Sequence, residues 1–278
     1  MPPTEPTTPM TTSGPNRFPW ALVGIAVVAL AILGAAGLWY LFFRPAGPPP
    51  VSLATLPPTA TVASPAATAH ASDDPSAEGS STPATSSDGG SAAGGIDGTW
   101  SIDPSIGSFS DFSGSFVGYR VNEQLATIGA QEAVGRTPDV TGTLTIQGTT
   151  LTAADITADL TTLQSDEANR DRQLSRQALE TSTYPTATFQ LTQPIDLGSI
   201  PEGGQTIDVS ATGNMTLHGV TKEVQVPLQA RLDGNVISVA GSLPILFSDY
   251  GIQQPRSMIV LSVEDHGTLE LQLHFTRS

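Results

Sequence analysis

The chain has 278 residues, with 26 acidic against 11 basic side chains and a formal charge of -15, a balance that argues against binding a phosphate backbone. It contains no cysteine, which excludes disulfides, thiolate metal sites, a thiol nucleophile and a lipidated cysteine anchor. Of the 23 prolines, 15 precede Ile96, so composition divides the chain there into a tail and a globular domain.

Residues 1–19 read as a short disordered tail. Trp20 to Phe43 then run for 24 residues without a charge; as a helix at ~1.5 Å per residue this is about 36 Å, enough for a hydrocarbon core of ~30 Å. Trp20, Trp39 and Tyr40 sit near the ends of the run, and Arg17 and Arg44 bracket it, so the expectation is a single transmembrane helix, a signal-anchor with the C-terminal part outside. The rival reading, a signal peptide cleaved near Gly34-Ala35-Ala36, is disfavoured because apolar residues continue from Leu38 to Phe43. Residues 44–96 are rich in Pro, Ala, Ser and Thr and read as a disordered linker that cannot bury enough apolar surface to offset its ordering entropy. Residues 97–278 form the expected domain.

From Gly98 onward the dominant signal is period-two alternation. Val140, Leu144 and Ile146 alternate with threonines, and Gln147-Gly148-Thr149-Thr150 turns the chain toward Ile156, Ala158 and Leu160. Ile207 to Leu217 alternate up to a reversal at His218-Gly219, and Val224, Val226 and Leu228 continue beyond it. Asp233-Gly234-Asn235 is a further turn, and the last strand alternates through Leu269, Leu271, Leu273 and Phe275. Two stretches break the rhythm and read as short helices, Asn122 to Gly129 and Ser165 to Glu180, the second N-capped by Ser165. About eight antiparallel strands joined mostly by hairpins predict an all-β domain, an up-and-down barrel or a sandwich.

No G-x-S-x-G, G-x-G-x-x-G or P-loop occurs, and His218, His266 and His274 lack metal-ligand spacing, so they read as solvated side chains and the protein as no enzyme. Alternation makes Leu144, Ile146, Phe189, Leu191, Met215, Leu217, Val224, Val226 and Phe247 the candidate interior residues, as lining or as packing. Arg170, Asp171 and Lys222 are candidates for holding a ligand headgroup at the mouth. For Arg170 and Asp171 an ion pair or cap that fixes the helix is the alternative, and for Lys222 an exposed strand end.

Asn169-Arg170-Asp171-Arg172-Gln173-Leu174 with Tyr184-Pro185 and Phe189, the hairpin Gly213 to Lys222, and Phe247-Ser248-Asp249-Tyr250-Gly251-Ile252 resemble three ordered motifs of the YceI-like family. Trp100-Ser101-Ile102-Asp103 resembles its opening, so the likeness spans about residues 97 to 277. Ser115 to Val140 departs from the family pattern, since many relatives carry a glycine-rich, His-containing segment there. The resemblance implies a lipocalin-like antiparallel barrel of about eight strands with an apolar interior. It further implies a non-catalytic carrier or store for a polyisoprenoid or other long apolar lipid, with no cofactor beyond a bound isoprenoid lipid or quinone. Together with the tail, this predicts a protein of the cell envelope anchored by its N-terminal helix, with the membrane and a lipid as its partners. The alternative is a structural or protein-interaction barrel displayed on a stalk without a ligand.

Overall fold

The structure, a computed structural model, describes residues 48–53, 95–125, 129–198, 204–255 and 260–278. Thirteen strands run through them: β1 (Gly98–Ile102), β2 (Phe116–Leu125), β3 (Gly129–Thr137), β4 (Val140–Gln147), β5 (Thr150–Asp159), β6 (Gln164–Ser165), β7 (Thr186–Leu191), β8 (Ile195–Asp196), β9 (Thr206–Leu217), β10 (Val220–Asp233), β11 (Val236–Leu246), β12 (Val260–Val263) and β13 (His266–Arg277). Antiparallel pairing in the order β1-β4-β5-β7-β9-β10-β11-β13 returns to β1, which closes an eight-stranded barrel and leaves no edge in that ring. The edge of β13 is shared: Thr268 to Gln272 pair with β2, whereas Phe275 to Arg277 pair with β1. β1 and β2 therefore lie end to end in one wall.

The turn chemistry explains the meander. Leu217 pairs with Val220 across His218-Gly219, and both turn residues have positive φ, 51° and 74°, as a two-residue turn matched to strand twist requires. A Cβ at Gly219 would lie 2.6 Å from the Tyr184 ring, so glycine is needed there for space as well. The Gly148 and Gly234 turns join β4 to β5 and β10 to β11.

The apolar face of the alternation forms two clusters, one around Trp100, Ile146 and Phe275 and the other around Met215, Leu217 and Tyr250. Large side chains of one strand lie flat on their neighbour's backbone. Phe189 covers Gly213 and Leu228 covers Gly241, where an added Cβ would come within 2.5 Å and 2.4 Å of them.

Three expectations are corrected. Asn122 to Leu125, expected to open a short helix, are strand and pair with Glu132 to Gly129 in the β2–β3 hairpin, and cross-strand pairing there overrides local helix propensity. The second break is α1 (Ala168–Gln173) followed by a π-helical turn, Leu174–Ala178, but its N-cap is Glu167, which accepts from the Asn169 N–H. The anchored architecture is also withdrawn. Among the described residues no helix is long and apolar enough to cross a membrane, and α1, six residues long, measures only about 9 Å. The run from Trp20 to Phe43 and the linker residues 54–94 lie outside the described residues. The architecture is an all-β eight-stranded barrel with one short helix. Nothing among the described residues carries the transmembrane helix, the signal-anchor, the single-pass placement or the membrane as partner, and these expectations are withdrawn with the anchor.

A patch of the outer face, with Ser238 on β11, Gln272 and His274 on β13 and Arg136 on β3, is polar and buried, and the loop from Asp103 to Ser115 lies against it. Gln272 donates from Nε2 to the Phe112 and Gly114 carbonyls, each at 2.9 Å. His274, expected in solvent, is 3% exposed, with Nε2 at 2.9 Å from the Ser113 carbonyl and Nδ1 at 2.9 Å from Ser238 Oγ. The carbonyl can only accept, so Nε2 carries the proton and Nδ1 accepts from the serine. Burial lowers the His274 pKa, the hydrogen bond to the Ser113 carbonyl opposes this, and the charge of Arg231 adds to the lowering. A histidine held neutral in the fold lets the unfolded chain bind more protons, so its contribution is complete above about pH 6.5 and is lost as the pH falls toward the folded value. Melting curves between pH 7.5 and 5 are expected to show a decline that His274→Gln flattens; an equal decline in both would remove His274 as its source.

Candidate functional site

The inward faces of the barrel are apolar and incompletely covered. Ile156, Leu191, Leu228, Leu232 and Leu271 pack against the first cluster yet are only half-buried, whereas Ser238, Glu270, Gln272 and Arg136 on the outer wall are between 0% and 3% exposed. Other inward residues, among them Ile146, Leu273 and Phe275, are buried, so the inside is packed in part, and apolar surface stays open at the half-buried positions.

Of the residues picked from alternation, Leu144, Ile146, Met215, Leu217 and Val226 are buried, while Phe189, Leu191, Val224 and Phe247 are half-buried. Leu144, Ile146 and Leu191 belong with the first cluster; Phe189, Met215, Leu217, Val224 and Phe247 belong with the second. Half-buried Leu228, part of the alternation but not among the candidate interior residues, and Tyr119, which the alternation reading did not single out, also lie on these walls. Tyr119 is adjacent to Gly135, where a Cβ would meet its ring at 2.3 Å, and its hydroxyl is buried without a hydrogen-bond partner among the described residues. Burial, opposed by the Arg170 charge, pushes the pKa of that hydroxyl well above the usual tyrosine value.

One end of the barrel is roofed by the segment carrying α1 and the π-helical turn, whose Leu174, Ala178 and Leu179 pack on the second cluster. Arg170 clamps it, with Nη2 at 2.6 Å from the buried Glu123 and Nη1 at 2.5 Å from Asp166. Burial alone would lower the Arg170 pKa, but the hydrogen bond and charge of Glu123 outweigh it and raise the value. Asp171 accepts from the Ser165 N–H and hydroxyl at 3.0 and 2.6 Å. At the far end of the segment Glu180, at φ 45°, lies 3.2 Å from His218 Nε2, and His218 Nδ1 donates to the Tyr250 carbonyl at 3.0 Å. A cleft of about 320 Å³ between this roof and Leu160 is lined by Leu163, Leu174 and Leu179 with Arg172 and Arg176.

Of the headgroup candidates, Arg170 and Asp171 sit in α1, whereas Lys222 is on β10. Lys222 neighbours Met215 across the β9–β10 ladder and pairs with Asp249 at 2.7 Å, both side chains well exposed. Among the described residues no group of three or more His, Asp or Glu side chains is placed to hold a metal ion.

Residues 100–275 match the family model described as the YceI-like domain. Protein YceI of Escherichia coli O157:H7 is 34% identical over 117 residues, which cover 41% of this chain and 56% of that protein. A UPF0312 protein of Vibrio cholerae serotype O1 is 30% identical over 118 residues, 40% of this chain and 59% of that protein. The chain thus spans little more than half the length of these curated relatives. Among solved structures, a polyisoprenoid binding domain from Saccharophagus degradans aligns at 18% identity over 64% of this chain and 98% of that one, with a TM-score of 0.49. Burkholderia cenocepacia BcnA aligns at 20% identity over 64% and 99%, with a TM-score of 0.45.

Proposed function

The chain belongs to the YceI-like domain family, and from that premise we propose that its barrel is a non-catalytic holder of one long, thin apolar molecule, with an isoprenoid lipid as the chemical class. The observation that carries this reading is that inward apolar residues such as Leu191, Leu228 and Leu271 keep uncovered surface inside a ring of strands closed on itself. An occupant lying along the inside would cover that surface, and each methylene removed from water contributes about 0.8 kcal/mol. Arg170 and Lys222 are already paired with carboxylates, so length of the apolar chain, and not headgroup charge, would set affinity.

The test is native mass spectrometry of the full chain, followed by solvent extraction. The expected result is a bound apolar species of defined mass, or uptake of an added long-chain isoprenoid alcohol at one molecule per barrel. A protein that carries nothing and takes up nothing would overturn the reading.

A further inference from the structure

The outer wall carries a second feature, independent of the lumen. Residues Pro48 to Leu53, over 40 positions ahead of β1, lie on it. Arg120 donates to the Pro48 carbonyl at 2.8 Å, Arg136 to the Pro49 carbonyl at 3.1 Å and Arg231 to the Leu53 carbonyl at 3.1 Å. Gln229 Oε1 accepts from the Leu53 N–H at 3.2 Å, and the Leu53 side chain is fully buried. We propose that this wall is a peptide-docking groove for an extended proline-containing segment, and that its occupant is the chain's own Pro48–Leu53.

Chemistry and dimensions both support that occupant. Prolines have no N–H, so a proline run can hydrogen-bond only through its carbonyls. The groove presents three guanidiniums to carbonyls and an acceptor, Gln229 Oε1, to the Leu53 N–H and the Ser52 hydroxyl beyond the prolines. From β10, which carries Arg231, to β2, which carries Arg120, are three strand steps, about 14 Å at ~4.8 Å each; the five steps from Pro48 to Leu53 in an extended proline-type helix span about 16 Å. Phe112 and Phe116 fix the middle of the groove, their ring centroids 4.5 and 4.2 Å from the Arg136 guanidinium carbon. With Leu53 and Gly95 both in the same unit as the barrel, residues 54–94 begin and end on one body, and the docked segment is present at an effective concentration on the order of millimolar.

The test uses a fluorescein-labelled peptide of residues 47–54 with the full chain and with Leu53→Asp, folding being checked by circular dichroism; Leu53→Ala is the milder second variant. The peptide is expected to bind the released variants at least tenfold more tightly than the wild type, whose groove is filled, and Arg231→Ala in the Leu53→Asp background is expected to abolish binding. A scrambled peptide should bind neither. Peptide binding to none of the proteins, or equally to all, would overturn the groove or its occupant. A wild-type dimer that Leu53→Asp converts to monomer would show the segment seated on a second copy and overturn the intramolecular assignment.

Discussion

Replacing Glu270 by alanine is expected to destabilise the barrel by about 3–5 kcal/mol, the range for removing one partner of a buried ion pair. Glu270 is 2% exposed and serves two arginines at once, Arg120 Nε at 3.0 Å and Arg136 Nη2 at 3.2 Å. The two do not depend on it equally. Arg120 keeps a second carboxylate, Glu132, at 2.5 Å, whereas burial already lowers the Arg136 pKa against the pull of Glu270 and the Arg136 Nε has no hydrogen-bond partner among the described residues. The loss therefore falls mainly on Arg136, left charged between Phe112 and Phe116. At roughly 2–4 °C per kcal/mol for a domain of this size, the melting temperature should drop by about 6–20 °C. Arg136→Met with Glu270→Leu should recover much of it, since apolar residues of similar volume often replace a buried pair without loss. A drop below about 1 kcal/mol for Glu270→Ala would mean that the network behaves as an exposed one.

That network marks where the sequence stops being legible. The hairpins at Gly148, His218-Gly219 and Gly234 were readable because turn residues and alternation are local signals, and pairing confirms each of them. The motif residues Arg170 and Asp171 do sit in the one short helix. Asn122 to Leu125 was misread because its Asn-Glu-Gln-Leu composition resembles a helix, and the partners that make it a strand, Glu132 on β3 and Val263 on β12, act through pairing that alternation does not reveal. The outer wall was hidden for a different reason. His274, Gln272 and Glu270 occupy the polar phase of a strand that alternates well, and that phase ordinarily faces water. What buries them is the loop from Asp103 to Ser115, about 160 positions away, together with Pro48 to Leu53, and no periodicity within β13 encodes either cover. The same parity that picked Leu217 and Leu191 as inward residues left their burial open: one is 4% exposed and the other half-buried.

That difference between Leu217 and Leu191 sets up the prediction with the largest effect on binding. Leu217 lies in the tightly packed second cluster beside Met215 and Tyr250, so Leu217→Asp places an unpaired charge where water does not reach, and the barrel is expected to lose cooperative folding along with uptake. Leu191 faces Gly213 across the β7–β9 ladder and retains open surface. Leu191→Asp can keep its carboxylate hydrated in an empty barrel, so the fold should survive while an apolar occupant is excluded at that level. Lys222→Ala removes an exposed pair with Asp249, worth about 0.2–1 kcal/mol in general, and a cation–π contact with the Tyr250 ring at 5.9 Å, and should leave uptake nearly unchanged. Titrating isoprenoid alcohols of increasing length separates these effects. Each added five-carbon unit that reaches the lumen can contribute up to about 4 kcal/mol at ~0.8 kcal/mol per carbon, before ordering costs reduce it. The wild type should therefore tighten steeply with length and then level off once the chain outgrows the barrel. Leu191→Asp should melt as a folded protein and show no such rise. Affinity that is flat with length in the wild type yet lost in Lys222→Ala would place recognition at the rim and overturn the lumen as the binding surface.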